Sequence, residues 1–346
     1  MAKSKLLGLG SLMVIVLSST TFIGSPSEAV NSPGGGSSGY LLVANKGEQT
    51  LGIVDPESGR QLAIVPEGGI TGHEVIASPD GRFAYVPIYG NSGVGRPGTD
   101  GSILVVIDVA AHKVVGTVDF GKGVRPHCPI IGPKDGLLYV TTEINNAITI
   151  IDPATLKIVG SVPTGQPESH MLAITRDGKR GYTANVGPGT VSVLDLVARK
   201  PIGVIPVCQN TQRISLSVDD RFVFTSDQTR PRLAVIDTGT NQIKTWIDMP
   251  GTGYGSAPTP DGRWLVIALP AVNKVGIIDL TEMKTAAAID VPKSPQEVLV
   301  RPDGRVAYVS CDASHEVAAI NLKDRKVERL IEVGKGADGL AWASLK

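Results

Sequence analysis

Glu297-Val-Leu-Val-Arg-Pro-Asp-Gly-Arg-Val-Ala-Tyr-Val-Ser-Cys-Asp-Ala-Ser-His-Glu-Val-Ala-Ala-Ile-Asn-Leu-Lys-Asp-Arg-Lys-Val-Glu-Arg-Leu-Ile-Glu-Val333 contains four short β-rich runs, Glu297–Val300, Arg305–Ser310, Glu316–Asn321 and Lys326–Val333. Pro302-Asp303-Gly304 separates the first two, and an Asp-Gly turn between alternating apolar runs is a hairpin signal. The pattern recurs along the chain. One slot, an aromatic or aliphatic residue after an Asp-Gly-type turn, is filled by Tyr85, Tyr139, Tyr182, Phe224, Val266 and Tyr308. Another, an acidic or Asn residue closing an apolar run, is filled by Asp55, Asp108, Asp152, Asp195, Asp237, Asp279 and Asn321. From Asp152 onward these closing residues are 43, 42, 42 and 42 apart. Four short strands in about 42 residues is the period of a β-propeller blade. The chain finishes on a lone first strand, Gly339–Ala343, and opens on Tyr40–Asn45, Leu51–Asp55 and Gln61–Val65. Together these complete a seventh blade and remove the free sheet edge. The spacing therefore predicts an all-β, seven-bladed propeller with four antiparallel strands per blade, closed by N-terminal strands.

The 346 residues include 41 Gly and 24 Pro, which suits a chain of repeated turns, and 42% hydrophobic content excludes a wholly disordered one. Thirty-three basic residues balance thirty-three acidic ones, so nothing marks a duplex-DNA or anionic-membrane surface. Aromatics are only 4%, leaving little for base stacking. Lys3, Lys5 and the apolar run Leu6–Leu17 read as a signal peptide, with small residues around Ala29 for cleavage. The expected organisation is residues 1–29 as signal, 30–39 as a Gly/Ser/Pro tether and 40–346 as the propeller. The product is expected to be exported (periplasmic, cell-surface or secreted), monomeric, and without a transmembrane segment after cleavage. Cys128, Cys208 and Cys311 contain no Cys-x-x-Cys pair and read as free, buried or semi-buried thiols, with one bridge left open as an alternative.

Leu138-Tyr-Val-Thr-Thr142, Gly181-Tyr-Thr-Ala-Asn185 and Ser78-Pro-Asp-Gly81 carry a family resemblance. With the closing Val-x-Val-Ile-Asp run, they make the chain similar to the bacterial YVTN-type β-propeller repeat family, including YncE-like and surface-layer-associated propellers. The resemblance implies an exported seven-bladed propeller. Fold alone does not set function.

Function is expected where one repeat departs from its siblings. The shared slots, including Tyr85, Tyr139, Tyr182 and Tyr308, read as structural, as do the strand residues Trp246, Trp264 and Trp342. Twelve residues before the aromatic slot lies the start of each innermost strand, on the face called the top. The residues there are His73, His127, His170, Gln212, Tyr254 and Gln296, with Asp338 as the seventh. These are expected to ring the mouth of the central channel. The spacing from the aromatic slot to the closing residue is 13 in six blades but 23 between Tyr85 and Asp108. One top loop, Tyr89 to Gly101, is thus long enough to fold over the mouth. Glu143, Asp227 and Asp312 add charge at strand ends on this face, with Arg125 and Arg213 nearby.

Three imidazoles on successive blades suggest a metal site for Zn or Cu with an open position. A polar ring hydrogen-bonding loop carbonyls and water is the structural counterpart. The leading expectation is a propeller that binds a small ligand, a metal or an exported protein partner at the top mouth without catalysis of its own. Its ligand residues would be Tyr89, Arg125, Glu143, Gln212, Arg213, Asp227, Tyr254, Gln296 and Asp338. The alternative is a metal-dependent lactonase-, lyase- or oxidase-type enzyme using His73, His127 and His170. A single-stranded-DNA module of the YncE-like sort follows from the resemblance and is opposed by charge and aromatic content. His112 and His315 read as turn residues. Gly93-x-Gly-x-x-Gly98 contains Pro97 and opens no helix, so it is not a dinucleotide fingerprint.

Overall fold

The computed structural model describes residues 38–345. The signal segment and most of the tether lie outside the described residues. Strand alternation, turn chemistry and repeat length produce seven four-stranded sheets, as the spacing predicts. In the seventh, Ala337–Ser344 pairs antiparallel with Gly39–Asn45, followed by Thr50–Asp55 and Arg60–Pro66, so both chain ends share one sheet. Gly39, expected in the tether, begins the strand instead, opposite Ser344. Helix is confined, among the described residues, to three 3-10 turns at Glu143–Asn145, Pro270–Val272 and Asp312–Ser314. Among the described residues no helix is long and apolar enough to cross a membrane.

Each repeated residue has a physical task. The blade-closing acids accept turn N–H groups: Glu57 N donates to Asp55 at 3.0 Å, and Lys323 N donates to Asn321 at 3.0 Å. In the Asp-Gly turns a hydroxyl bridges both sides. Thr175 Oγ1 donates to Asp177 at 2.7 Å, beside Gly178, and accepts from Arg180 N at 3.1 Å. The aromatic slot is core: Tyr85, Tyr139, Tyr182, Phe224 and Tyr308 are all buried. Complete burial of such side chains stabilises by about 1.5–3 kcal/mol each. The three tryptophans are half-buried rather than core. Arg232 covers Trp246 at 3.9 Å, Arg263 and Arg325 both lie over Trp264, and Trp342 stacks on Tyr308. The three cysteines are free thiols.

The innermost strands differ most from their siblings. In the first blade only Ile76–Ala77 is strand, and in the fifth only Ser256–Pro258. The five others carry a register shift at the channel mouth, between Pro126 and Pro129, Ser169 and Met171, Thr211 and Ile214, Pro295 and Val298, and Ala337 and Leu340. Such bulges re-aim side chains and free an N–H from the ladder. Here hydroxyls satisfy two of them: Cys128 N donates to Thr141 Oγ1 at 2.8 Å, and Glu297 N to Ser310 Oγ at 3.0 Å.

Candidate functional site

The bulges sit where the ring residues were expected, and six of the seven come together. His73, His127, His170, Gln212, Tyr254 and Asp338 line one cavity of about 200 Å³ at the top of the channel. Arg213 and Tyr89 line it as well. Gln296 does not; its amide turns back to Ser294. Asp227 lies away from the cavity, held by Arg232 at 3.0 Å and by Thr229. Sequence reasoning missed Lys46 and the loop residues Ser92, Gly93 and Val94 as lining.

The long loop does fold over this mouth. Arg125 holds it at three points: Nη2 donates to Arg96 O at 2.6 Å, Nη1 to Gly93 O at 3.4 Å and Nε to Asp100 Oδ1 at 2.6 Å. Arg125 Nη1 also donates to Glu143 Oε1 at 3.1 Å, and Gly95 N donates to the same oxygen at 3.2 Å. Tyr89 Oη donates to Glu143 Oε2 at 2.5 Å. Neither Arg125 nor Glu143 lines the chamber; both act from behind the loop. Burial pushes the Glu143 carboxyl up, but the facing His170 ring, the Tyr89 hydroxyl and Gly95 N–H outweigh it and hold it below the usual range.

The three imidazoles pack on each other and on Tyr89. His127 and His170 centroids are 3.7 Å apart at 31°, and His73 meets His127 edge-on at 5.5 Å. Tyr89 touches all three rings. Among the described residues no group of three or more His, Cys, Asp or Glu side chains is arranged to hold a metal ion. Burial keeps the rings neutral: His73 is pushed down to about 4, His127 falls well below its ordinary value, and His170 falls despite the opposing Glu143 carboxylate. Neutral imidazoles can accept a proton or a hydrogen bond from a bound molecule. Glu143 Oε2 lies 3.6 Å from His170 Nδ1, close enough to orient that ring.

Beneath the chamber lies a buried charge network that the sequence pattern did not reveal in full. Arg213 donates to Glu74, to Glu297 Oε2 at 2.8 Å and to Asp338 Oδ1 at 3.3 Å, joining four blades through one guanidinium. Its planar fork also lies 4.5 Å over the Tyr254 ring. Lys46 Nζ bridges Asp338 and Asp312, each at 3.2 Å. Glu74, Arg213 and Glu297 each follow a ring residue directly, so the same slot count shifted by one position would have found them. At the equivalent positions of two other blades stand Gly255 and Gly339. A Cβ at Gly339 would fall 2.6 Å from Glu74 Cα, and one at Gly255 2.8 Å from Glu297 Cα, so the missing side chains make room for the carboxylates. Burial pushes Glu74 up to about 8 even beside Arg213, and also raises Glu297. Burial opposes ionisation of Asp338 too, but Lys46 and Arg213 hold that carboxyl below its usual range.

Comparison with known proteins places this geometry. Two solved structures share the fold over nearly their whole length. Kuenenia stuttgartiensis hydrazine synthase is 17% identical, with a TM-score of 0.70 over 86% of this chain and 99% of that one. Pseudomonas aeruginosa periplasmic gluconolactonase PpgL is 17% identical, with a TM-score of 0.71 over 89% of this chain and 99% of that one. No curated protein gives a significant match. The family model for the cytochrome D1 heme domain matches residues 131–345, a stretch that includes His170, Arg213, Glu297 and Asp338 but begins after Lys46, His73, Glu74, the Tyr89–Gly101 loop and His127. That match spans more than half the sequence, and the chain belongs to the cytochrome D1 heme domain family.

Proposed function

We propose that this propeller binds one small polar molecule in the chamber under the Tyr89–Gly101 loop, acting outside the cytoplasm with residues 1–29 as its export signal. One observation carries the reading. Four residues that line the chamber hold buried side-chain atoms without a hydrogen-bond partner: Ser92 Oγ, His127 Nδ1, His170 Nδ1 and Arg213 Nε. A buried, unsatisfied polar atom costs about 1–3 kcal/mol, and four around one space favour an occupant that satisfies them. At about 30 Å³ per water in the liquid, 200 Å³ has room for about seven waters or a small molecule of similar bulk.

The family implies a haem, and this chamber does not fit one. An imidazole is a suitable axial ligand, but sites for drug-sized ligands run about 300–1,000 Å³, and a tetrapyrrole is larger than most such ligands. The loop residues Ser92, Gly93 and Val94 line the space that a macrocycle would have to occupy. Lactone hydrolysis, the reaction named for the gluconolactonase, is compatible with neutral imidazoles as proton acceptors, and belongs to the same small-molecule reading.

Native mass spectrometry of the purified protein tests this. The folded protein should carry, or take up from a panel of polar metabolites, one small molecule that denaturation releases. His127→Ala should abolish that uptake. A wild-type chamber that takes up nothing refutes the reading. A stoichiometric Zn or Cu increment would support the three-histidine metal enzyme instead.

A further inference from the structure

The groups that line the chamber narrow its ligand. We infer that the ligand is a small, neutral, polyhydroxylated molecule, an inference that rests on the small-molecule reading above. Charge selects against an ion of either sign. The lining carries two cations, Lys46 and Arg213, and one carboxylate, Asp338. Each is already matched. Asp338 lies between the two cations, 3.2 Å from Lys46 Nζ and 3.3 Å from Arg213 Nη2. Asp312 takes Lys46 from its other side, and Glu74 and Glu297 take Arg213. An anion therefore competes with carboxylates already in place, and a cation competes with Lys46 and Arg213. Either one also leaves its water shell, which is costly for an ion that finds no unmatched partner. A neutral ligand leaves all of these pairs intact.

The second observation is the mixture of groups left free. Arg213 Nε is a buried N–H donor without a partner. His170 Nδ1 faces the Glu143 carboxylate at 3.6 Å, which favours a proton there and leaves the other nitrogen of that ring an acceptor. His127, held neutral by burial, has one N–H and one bare nitrogen, and its Nδ1 has no partner. Ser92 Oγ is also free, and a hydroxyl both gives and takes, as does the amide of Gln212 in the same lining. The wall thus presents donors and acceptors together. An ammonium only donates and a carboxylate only accepts. A hydroxyl does both at one oxygen, so several hydroxyls on one skeleton match a mixed wall. The space, with room for about seven waters, suits a four-carbon polyol.

Calorimetric titration of the purified protein with four-carbon probes tests the class. The tetrols erythritol and threitol are compared with butane-1,4-diol, which lacks the two central hydroxyls. Erythronate, which ends in a carboxylate, and 4-aminobutane-1,2,3-triol, which ends in an ammonium, supply the two charges. One tetrol should bind one to one, at least about tenfold more tightly than the diol. It should also bind at least about tenfold more tightly than either charged probe. Ser92 Oγ has no hydrogen-bond partner among the described residues, so Ser92→Ala should keep the wild-type Tm and weaken the tetrol by about fivefold. A diol that binds as tightly as both tetrols overturns the role of the hydroxyls. A charged probe that binds as tightly as both tetrols overturns the neutral class. Unchanged tetrol affinity in folded Ser92→Ala overturns the mixed wall. Each of these outcomes leaves the chamber reading intact. Silence from every probe overturns the polyol class, and the mass-spectrometric uptake decides separately whether the chamber binds anything.

Discussion

Replacing Arg213 by Met keeps most of the side chain's apolar length and removes the guanidinium. Arg213 is 3% exposed, with Glu74 8%, Asp338 4% and Glu297 17% exposed around it. Removing one member of a buried ion pair costs about 3–5 kcal/mol, because the remaining charge has lost its partner. Here Asp338 keeps Lys46, whereas Glu297 has no second cation in the network. We therefore expect a loss of about 3–5 kcal/mol at pH 7. At roughly 2 °C per kcal/mol for a chain of this length, that lowers Tm by about 6–10 °C. The sign of the pH dependence follows. Without Arg213 the buried carboxyls have folded pKa values above their unfolded ones. Such groups stabilise fully below the unfolded value, and the stability is lost as pH rises. The deficit relative to wild type should therefore shrink from pH 7 to pH 5. Scanning calorimetry of Arg213→Met at both pH values reads this directly, and Arg213→Met/Glu297→Gln should recover part of the loss. A Tm drop below about 2 °C at pH 7, or one that is the same at pH 5, refutes the account of the network.

Burial pushes Glu74 up to about 8, so the stability linked to it is fully present below about pH 4.5 and is lost progressively as pH rises to about 8; Tm should fall between pH 5 and 8 and level off above, and Glu74→Gln should flatten that fall. His73, pushed down to about 4, has the opposite sign: its contribution is present above about pH 6.5 and is lost as pH falls toward 4, and its ring signals in an NMR titration should stay neutral at pH 6. Arg125→Ala removes the three ties on the Tyr89–Gly101 loop and leaves Glu143 buried without its cation, so proteolysis within that loop should accelerate at least about tenfold while the blade cores stay protected. Deleting residues 337–346 removes the strand that closes the seventh blade, with Ala337, Leu340, Ala341 and Ala343 all buried in it, and should abolish cooperative unfolding; a folded deletion product would contradict the closure.

The fold was legible because a propeller is written as a local rule repeated seven times. Asp-Gly turns, alternating runs and closing acids each act within a few residues of themselves, so their spacing in the chain is their spacing in the blade. The site was legible only where it used that same rule. Counting twelve residues back from the aromatic slot found His73, His127, His170, Gln212 and Tyr254, and the apolar run of the last strand aligned Asp338 with them, because a repeated strand starts at a repeated place. It failed at Gln296, whose side chain found a nearer partner in Ser294, and the strand-end reading failed at Asp227, which Arg232 claimed. It also could not see that five bulges let consecutive residues serve the channel mouth, since a bulge changes which way a side chain points without changing the count.

The sequence by itself thus determined the seven blades, their closure, the long top loop and the neutral overall charge. Only the tertiary structure decided that Arg213, near the middle of the chain, meets Glu74 139 residues before it and Asp338 125 residues after it. The physical reason is that burial and charge pairing are properties of what surrounds a group in space. A chain that sums to zero can therefore gather three carboxyl groups around one buried guanidinium, and neither composition nor spacing records where the opposite charges went.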